Sequence, residues 1–124
     1  MIKFKDGPAA GAILSLRRAP LLIRAVQGPR AKWDALDQVD DVVNNNERPY
    51  LYILAGPARM MHMRCCGKGG KAASGFWAMG EYQLLPAPPD ESILRDNTLY
   101  AEWCDANRDR IVPEWFKAKV EKPL

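Results

Sequence analysis

The stretch that decides the fold is Tyr50-Leu-Tyr-Ile-Leu-Ala55, followed by Gly56-Pro57 and then by Met60-Met-His-Met-Arg-Cys-Cys66. The first run is apolar throughout, which is typical of a central strand that is covered on both faces. In the second run, odd-numbered and even-numbered residues would lie on opposite faces of a strand. A third strand-like run begins at Phe76 and ends at Leu85. The second and third runs therefore predict a hairpin with a long tip.

The tip of this hairpin is Gly67-Lys-Gly-Gly-Lys-Ala-Ala-Ser-Gly75. Glycines let several backbone N–H groups converge on an anion, and lysine supplies positive charge. The motif of nucleotide hydrolases is incomplete, because Cys65 stands in place of its first glycine and Ala72 in place of its serine or threonine. The pattern indicates a cationic loop suited to a phosphate or to single-stranded nucleic acid. The predicted ligand-binding residues are Arg64, Lys68, Lys71 and Trp77.

Length and composition set the class of protein. The chain has 124 residues, of which 48% are apolar and 27% charged, and these values are typical of a globular protein. Ten prolines and nine glycines divide it into short runs, which favours strands and turns over long helices. We predict one domain, 1–124, with a β-rich body over 1–86 and a helical segment over 87–124.

Charge and cysteine usage limit the partners and the compartment. The net charge of +3, from 18 basic and 15 acidic residues, does not indicate nucleic-acid binding by composition, so any such surface must be a local patch. No basic-then-apolar leader opens the sequence, and no apolar run approaches the roughly 20 residues of a membrane span. Three cysteines, an odd number, do not form a disulfide framework. We expect a soluble cytoplasmic protein without membrane contact and without a cofactor.

The first third of the chain predicts short elements. Ile2-Lys-Phe-Lys-Asp6 alternates apolar and charged residues, so Ile2 and Phe4 share one face of a short strand. Asp6-Gly7-Pro8 has the residues of a turn, and two further strands follow at 12–16 and 20–26. Apolar residues at spacings of three favour a short helix across 31–41, with a strand around Trp33 as the alternative.

The opening Phe4-Lys-Asp6-Gly7-Pro8-Ala-Ala-Gly11, followed by an apolar run and a proline, resembles the start of small β-rich proteins of unknown role in bacteria and their phages. The resemblance covers about the first quarter of the chain. It implies an accessory protein of bacterial or phage origin. The family has no assigned catalytic residues, so none are carried over to this sequence.

Histidine and cysteine residues suggest two kinds of chemistry. His62, Cys65, Cys66 and Cys104 are residue types that zinc accepts, but adjacent cysteines on a strand point to opposite faces. A cysteine activated by His62 would be a nucleophile, but that histidine needs an orienting group that the sequence does not identify. We therefore predict no metal site and no catalytic residue, and an enzyme is only the third interpretation.

The last third changes to helical spacing after Pro86-Ala-Pro-Pro89. Asp96 is a good capping residue for a helix that runs to about Arg108 and packs its apolar side on the sheet. A last short helix is predicted from Pro113 to Val120, anchored by Trp115 and Phe116. These two aromatic residues have two interpretations, packing on the domain's own core or docking a partner.

Together these patterns predict an α+β fold that is mainly antiparallel β. We expect a small twisted sheet or partly open barrel of about five to seven strands with a C-terminal helix packed on it. The predicted function is a non-enzymatic binding or interaction module, with an unknown protein partner or self-association. The alternative is binding of nucleic acid or a phosphate ligand through the hairpin tip at 64–77.

Overall fold

A computed structural model of the protein describes residues 1–28, 33–66 and 72–116, with backbone only at 63–66 and 72–74. Within these residues the elements are β1 (Ile2–Phe4), β2 (Ile13–Leu14), β3 (Leu22–Gln27), β4 (Trp33–Leu36), β5 (Arg48–Leu54), β6 (Arg59–Cys66), β7 (Ala72–Leu84), α1 (Glu91–Arg95) and α2 (Asn97–Ile111). Residues 114–116 also have helical backbone. No helix in the described residues is both long and apolar enough to cross a bilayer.

β6 and β7 form a long antiparallel hairpin, as predicted, and β5 lies between β7 and β3 as a central strand. β5 pairs antiparallel with the end of β7, from Tyr52 opposite Leu84 to Leu54 opposite Tyr82. β6 pairs antiparallel with the earlier part of β7, from Arg59 opposite Met79 to Cys66 opposite Ala72. Four residues, 55–58, therefore lie opposite only two, 80–81, and the chain bulges at Gly56-Pro57. Bulges of this kind bend a strand and change its direction.

The seven strands form a β-rich mixed sheet that curls into a nearly closed barrel. The strand order is β2-β1-β7-β5-β3-β4, and β6 pairs only with β7. β1 runs parallel to β7, whereas the other pairs are antiparallel. The expected β-rich fold is confirmed, but the parallel pair was not predicted, because it joins segments that are far apart in sequence and leaves no local pattern.

One face of the sheet forms the first core cluster. Ile2 and Phe4 are fully buried and Lys3 is exposed between them, as the alternation predicts. The Phe4 ring meets the Tyr52 ring edge-on at a centroid distance of 4.7 Å. Tyr82 is also fully buried in this cluster. Burial of a side chain of this size stabilises the fold by about 2 to 3 kcal/mol.

The predicted turn at Asp6-Gly7-Pro8 closes one end of this cluster. Gly7 has a φ of +69°, which glycine adopts without strain. The Tyr52 hydroxyl accepts a hydrogen bond from Ala9 N at 2.8 Å and donates one to Asp6 O at 2.9 Å. Leu84 N donates to the Asp6 carboxylate at 2.7 Å. The turn is thus joined to both β5 and β7.

The helices cover the other side of the sheet and form the second core cluster. Its buried members come from β5, the residue that follows β7 and both helices, namely Leu51, Ile53, Leu85, Leu94 and Tyr100. The Asp96 carboxylate accepts hydrogen bonds from Thr98 N and Leu99 N, so the predicted cap is confirmed. Cys104 packs against this cluster, whereas Leu99 is 44% exposed.

Arg24 is a charged residue inside this helical side, where it is fully buried. One of its terminal nitrogens donates to Leu94 O at 3.1 Å and to Asn97 Oδ1 at 2.9 Å. The other donates to Asp41 O at 2.9 Å. The guanidinium also lies 4.6 Å from the centre of the Tyr100 ring. Arg24 therefore joins β3, the turn at 37–41 and the junction of the two helices.

The helix expected across 31–41 is wrong. Residues 33–36 form β4, which pairs antiparallel with β3, and the alternative of a strand around Trp33 is the correct one. Trp33 packs its ring 5.8 Å from that of Tyr50 on β5. Spacings of three in so short a run do not separate helix from strand, and pairing with β3 decides the outcome.

Candidate functional site

The candidate site is the distal half of the long hairpin, which we call the arm and define as 59–66 together with 72–79. Residues 72–79 of β7 pair in register only with β6, whereas 80–84 pair with β1 and β5. The arm is therefore mainly a two-stranded ribbon, although at its base Ala78 N also donates a hydrogen bond to Leu16 O at 2.9 Å. Two-stranded ribbons lack the neighbouring strands that cover side chains in a larger sheet. The predicted tip, 67–75, is too long, because 72–75 belong to β7 and pair with β6. The rest of it, 67–71, lies outside the described residues.

The inner face of the arm is defined here by Met60, His62 and Phe76. It continues the face of β7 on which Ala78 and Tyr82 are fully buried, because side chains two residues apart point the same way. Met60 is 56% exposed and Phe76 is 58% exposed. His62 lies opposite Phe76 in register, and their rings meet edge-on at 5.1 Å. The face of β7 that is buried in the core at Ala78 and Tyr82 is therefore exposed to solvent on the arm.

The outer face of the arm is defined by Met61 and Trp77, which are partners in register. Arg17, from the segment after β2, lies with its guanidinium carbon 4.3 Å from the centre of the Trp77 ring. Gly75 provides the space for this, since a Cβ there would come within 2.8 Å of an Arg17 terminal nitrogen. A cation over an aromatic ring contributes about 0.5 to 1 kcal/mol at an exposed position. The contact holds a guanidinium over the Trp77 ring.

Of the four predicted ligand-binding residues, Trp77 is described in full. It is half-buried on β7 beneath Arg17. Arg64 lies on β6, where its backbone pairs with Ser74, and its side chain is outside the described part. Lys68 and Lys71 lie outside the described residues. Whether the four side chains converge stays a prediction.

The two predicted docking residues lie near the first core cluster. Trp115 is half-buried and packs against that cluster. The Phe116 ring meets the Trp115 ring edge-on at 5.8 Å and is also half-buried. Residues 117–120, which the predicted last helix includes, lie outside the described residues. The contact of Trp115 with the first core cluster is the kind of contact expected if this residue packs on the domain's own core.

The candidate metal ligands and nucleophiles are spread over different elements. His62 is exposed on the arm, whereas Cys104 lies on α2 against the second core cluster. The side chains of Cys65 and Cys66 are outside the described part, and the described residues contain no group of three or more metal-ligating side chains. Burial raises the pKa of the Cys104 thiol, although a hydrogen bond with Tyr100 opposes this. A nucleophilic thiol needs the opposite shift.

The sequence interpretation missed Arg17 as a member of this site. Its partner Trp77 is sixty residues away along the chain, and only the path of the chain between β2 and β3 brings the two together. No spacing or motif predicts such a contact. The exposure of Met60 and Phe76 was also missed, since alternation along a strand defines its faces but not which face is covered.

The chain matches no protein-family model, no curated protein and no solved structure in comparisons with known proteins. The candidate site must therefore be interpreted from its own geometry.

Proposed function

We propose that this protein is a non-enzymatic binding module that docks a protein partner on the inner face of the arm. The observation that carries this proposal is the exposure of Phe76 and Met60 on the face where Ala78 is fully buried. Contiguous apolar surface at an open position is characteristic of protein contact sites. Aromatic and methionine side chains are enriched at such sites, and Phe and Met each gain about 1.5 to 3 kcal/mol on full burial.

The chemistry of the inner face indicates what the partner presents. Phe76, Met60 and the His62 ring form an apolar surface without a carboxylate or an ammonium group among them. The matching surface is apolar, with a rim that excludes water around the Phe76 ring. The resemblance of the opening segment to small bacterial and phage proteins supports an accessory role. A second copy of the chain is the alternative occupant.

The test is capture by the tagged full-length chain from an extract of its source cells, compared with a Met60→Ser/Phe76→Ser variant. We expect the wild-type chain to retain a protein that the variant loses, since serine removes apolar area from the inner face. Val42→Ser/Leu99→Ser is the matched control, because these side chains are 67% and 44% exposed elsewhere on the surface. Sedimentation shows whether the occupant is a second copy.

Two results would contradict the proposal. One is capture of the same proteins by the wild-type chain and the arm variant. The other is unfolding of the arm variant, measured by circular dichroism, since this would show that Met60 and Phe76 belong to the core. The control double variant should bind as the wild type does.

The second candidate function is binding of nucleic acid or a phosphate ligand through the tip at 64–77. It is favoured by the Arg17 guanidinium held over Trp77, which places a cation and an aromatic ring beside the basic tip. Charge combined with stacking is the usual means of holding single strands. Lys68→Ala/Lys71→Ala should weaken binding and flatten its dependence on salt. An unchanged salt dependence would contradict this function.

A further inference from the structure

A cleft lies at the base of the arm, on the side opposite the first core cluster. It forms where the bulge at Gly56-Pro57 separates β5 from β6, and it has a volume of about 500 Å³. This volume is within the range of about 300 to 1,000 Å³ for small-molecule sites in proteins. We call it the outer cleft, and the residues that matter for its chemistry are Lys3, Lys5, Ile13, Arg59, Met79 and Glu81.

The outer cleft is positively charged. Lys3 comes from β1, Lys5 directly follows it and Arg59 begins β6, and all three are exposed. None of them forms an ion pair with another described residue. Glu81, which lies beside Lys3 in register, is the carboxylate among the lining residues. Three cations facing one carboxylate leave an excess of positive charge, which attracts an anionic ligand.

The apolar parts of the cleft lie between these cations. Met79 is the register partner of Arg59, and Ile13 is a register partner of Lys3, so these two cations each have an apolar neighbour on the same face. Ile13 is 54% exposed. A ligand that fits must therefore offer negative charge and flat or apolar groups in alternation. Bare phosphate or sulfate would leave the apolar walls without a partner.

The outer cleft continues onto the outer face of the arm. Along β7, residues 75, 77, 79 and 81 share one face by alternation, so Glu81 and Met79 in the cleft lead directly to Trp77. From residue 75 to residue 81, this face of β7 is about 20 Å long. At the far end Arg17 lies over the Trp77 ring and is exposed, and a guanidinium can stack on flat groups. We call this path the track: it begins at the cations of the outer cleft, follows Glu81 and Met79 along β7 and ends at the Arg17–Trp77 pair.

From this arrangement we propose that the outer cleft binds single-stranded nucleic acid, which runs from Lys3, Lys5 and Arg59 along β7 to the Arg17–Trp77 pair. A single strand offers regularly spaced phosphates and free base faces, which match the alternation of cations and flat groups. A duplex keeps its base faces stacked inside and offers only phosphate to this track. A net charge of +3 requires any nucleic-acid surface to be a local basic patch, and in this proposal that patch lies at the base of the arm.

This inference is independent of the protein docked on the inner face. It shares Trp77 with the nucleic-acid alternative at the tip, but places the charged contacts at Lys3, Lys5 and Arg59 instead of Lys68 and Lys71. The probe is fluorescein-labelled oligothymidylate of about 20 nucleotides, followed by fluorescence anisotropy across a salt series. The key variant is Lys3→Gln/Lys5→Gln/Arg59→Gln in the full-length chain. Its folding is checked by thermal unfolding.

We expect wild-type binding to weaken steeply with salt, and the triple variant to lose about tenfold or more in affinity at low salt. Each single-strand phosphate contact contributes about 0.7 to the slope of log affinity against log salt, so loss of three should flatten the slope by about 2. The matched control removes the same charge elsewhere, at Arg48→Gln/Arg108→Gln/Arg110→Gln, whose side chains are exposed away from the outer cleft. Its affinity should stay within about threefold of the wild type, since only distant, screened charge is lost.

A second comparison separates stacking from charge. Trp77→Leu should weaken oligothymidylate binding but leave the binding of inorganic polyphosphate unchanged, because polyphosphate has no bases. The inference is overturned if oligothymidylate does not bind at low salt, or if the triple variant and the control bind alike. It is also overturned if duplex DNA or polyglutamate binds as tightly as the single strand.

The remaining variants keep the proposals apart. Loss of oligothymidylate binding in Lys68→Ala/Lys71→Ala, with full binding by the cleft variant, would place the ligand at the tip and reject the outer cleft. Met60→Ser/Phe76→Ser should bind oligothymidylate as the wild type does, since those side chains lie on the opposite face of the arm. Failure of protein docking therefore leaves the outer cleft untouched, and the reverse also holds.

Discussion

Replacement of Arg24 by methionine is predicted to be the most destabilising single change among the charged residues of the described part. Arg24 is fully buried, and its guanidinium serves three acceptors at 3.1 Å or less, on Leu94, Asn97 and Asp41. Burial lowers the pKa of Arg24, and nearby polar groups offset part of this effect. Methionine retains most of the side-chain length and apolar volume. The substitution thus removes the donors without creating a large cavity.

The expected loss follows from those three hydrogen bonds. A hydrogen bond to a neutral acceptor contributes about 1 kcal/mol net, and an acceptor left buried without a partner costs about 1 kcal/mol or more. Three of them give about 3 kcal/mol for Arg24→Met. The entropy of unfolding is about 0.26 kcal/mol/K for a chain of 124 residues, at about 2.1 cal/mol/K per residue. The midpoint temperature should therefore fall by about 12 °C.

The assay is thermal and urea unfolding followed by circular dichroism and tryptophan fluorescence. Arg18→Met makes the same chemical change at the surface, where the ion pair with Asp37 has an N–O distance of 3.4 Å and the arginine side chain is 61% exposed. This control should change stability by less than about 0.5 kcal/mol. If Arg24→Met were as stable as Arg18→Met, the argument that Arg24 holds the helices on the sheet would be refuted.

Three further predictions concern the cap, the hairpin and the buried tyrosines. Asp96→Ala removes the acceptor for two backbone N–H groups of α2 and should cost about 1 kcal/mol in urea unfolding; an unchanged midpoint would show that the cap is dispensable. Gly80→Ala should destabilise the fold by about 1 to 2 kcal/mol, because the added Cβ would lie 3.1 Å from a Leu54 methyl carbon. A Cβ at Gly56 would have no atom within 4 Å, so Gly56→Ala should leave the stability nearly unchanged. Equal midpoints for the two variants would contradict the packing. Burial raises the pKa of Tyr52, Tyr82 and Tyr100 in the folded state, so above about pH 10 the unfolded chain loses these protons first and the free energy of unfolding should fall. Urea unfolding midpoints between about pH 8 and 11 test this. A midpoint that does not change with pH would exclude the effect for these three tyrosines.

The candidate site shows how far a sequence interpretation reaches. The hairpin and the position of Trp77 within it follow from alternation and glycine content, and both are confirmed. Arg17 over Trp77 does not follow, because the contact depends on how the chain passes from β2 to β3. The outer cleft is missed for the same reason, since it combines β1 with the bulge between β5 and β6. Contacts between distant segments leave no periodic signal in either segment.

The sequence by itself determined the local elements whose signals lie within a few residues. Alternation placed Ile2 and Phe4 inside, turn residues placed Gly7 at a positive φ, and Asp96 began the second helix. These outcomes depend on backbone sterics and on side-chain hydrogen bonds to adjacent residues.

Only the tertiary structure decided which strands are neighbours and which faces are open. The parallel pairing of β1 with β7, the strand at 33–36 and the burial of Arg24 each depend on partners supplied by remote parts of the chain. The inner face of the arm is open because no third strand or helix among the described residues covers Phe76, although its residue pattern matches that of the buried segment beside it. Burial is a property of the assembled surface, so the same alternation yields core at Ala78 and an exposed side chain at Phe76, two residues away.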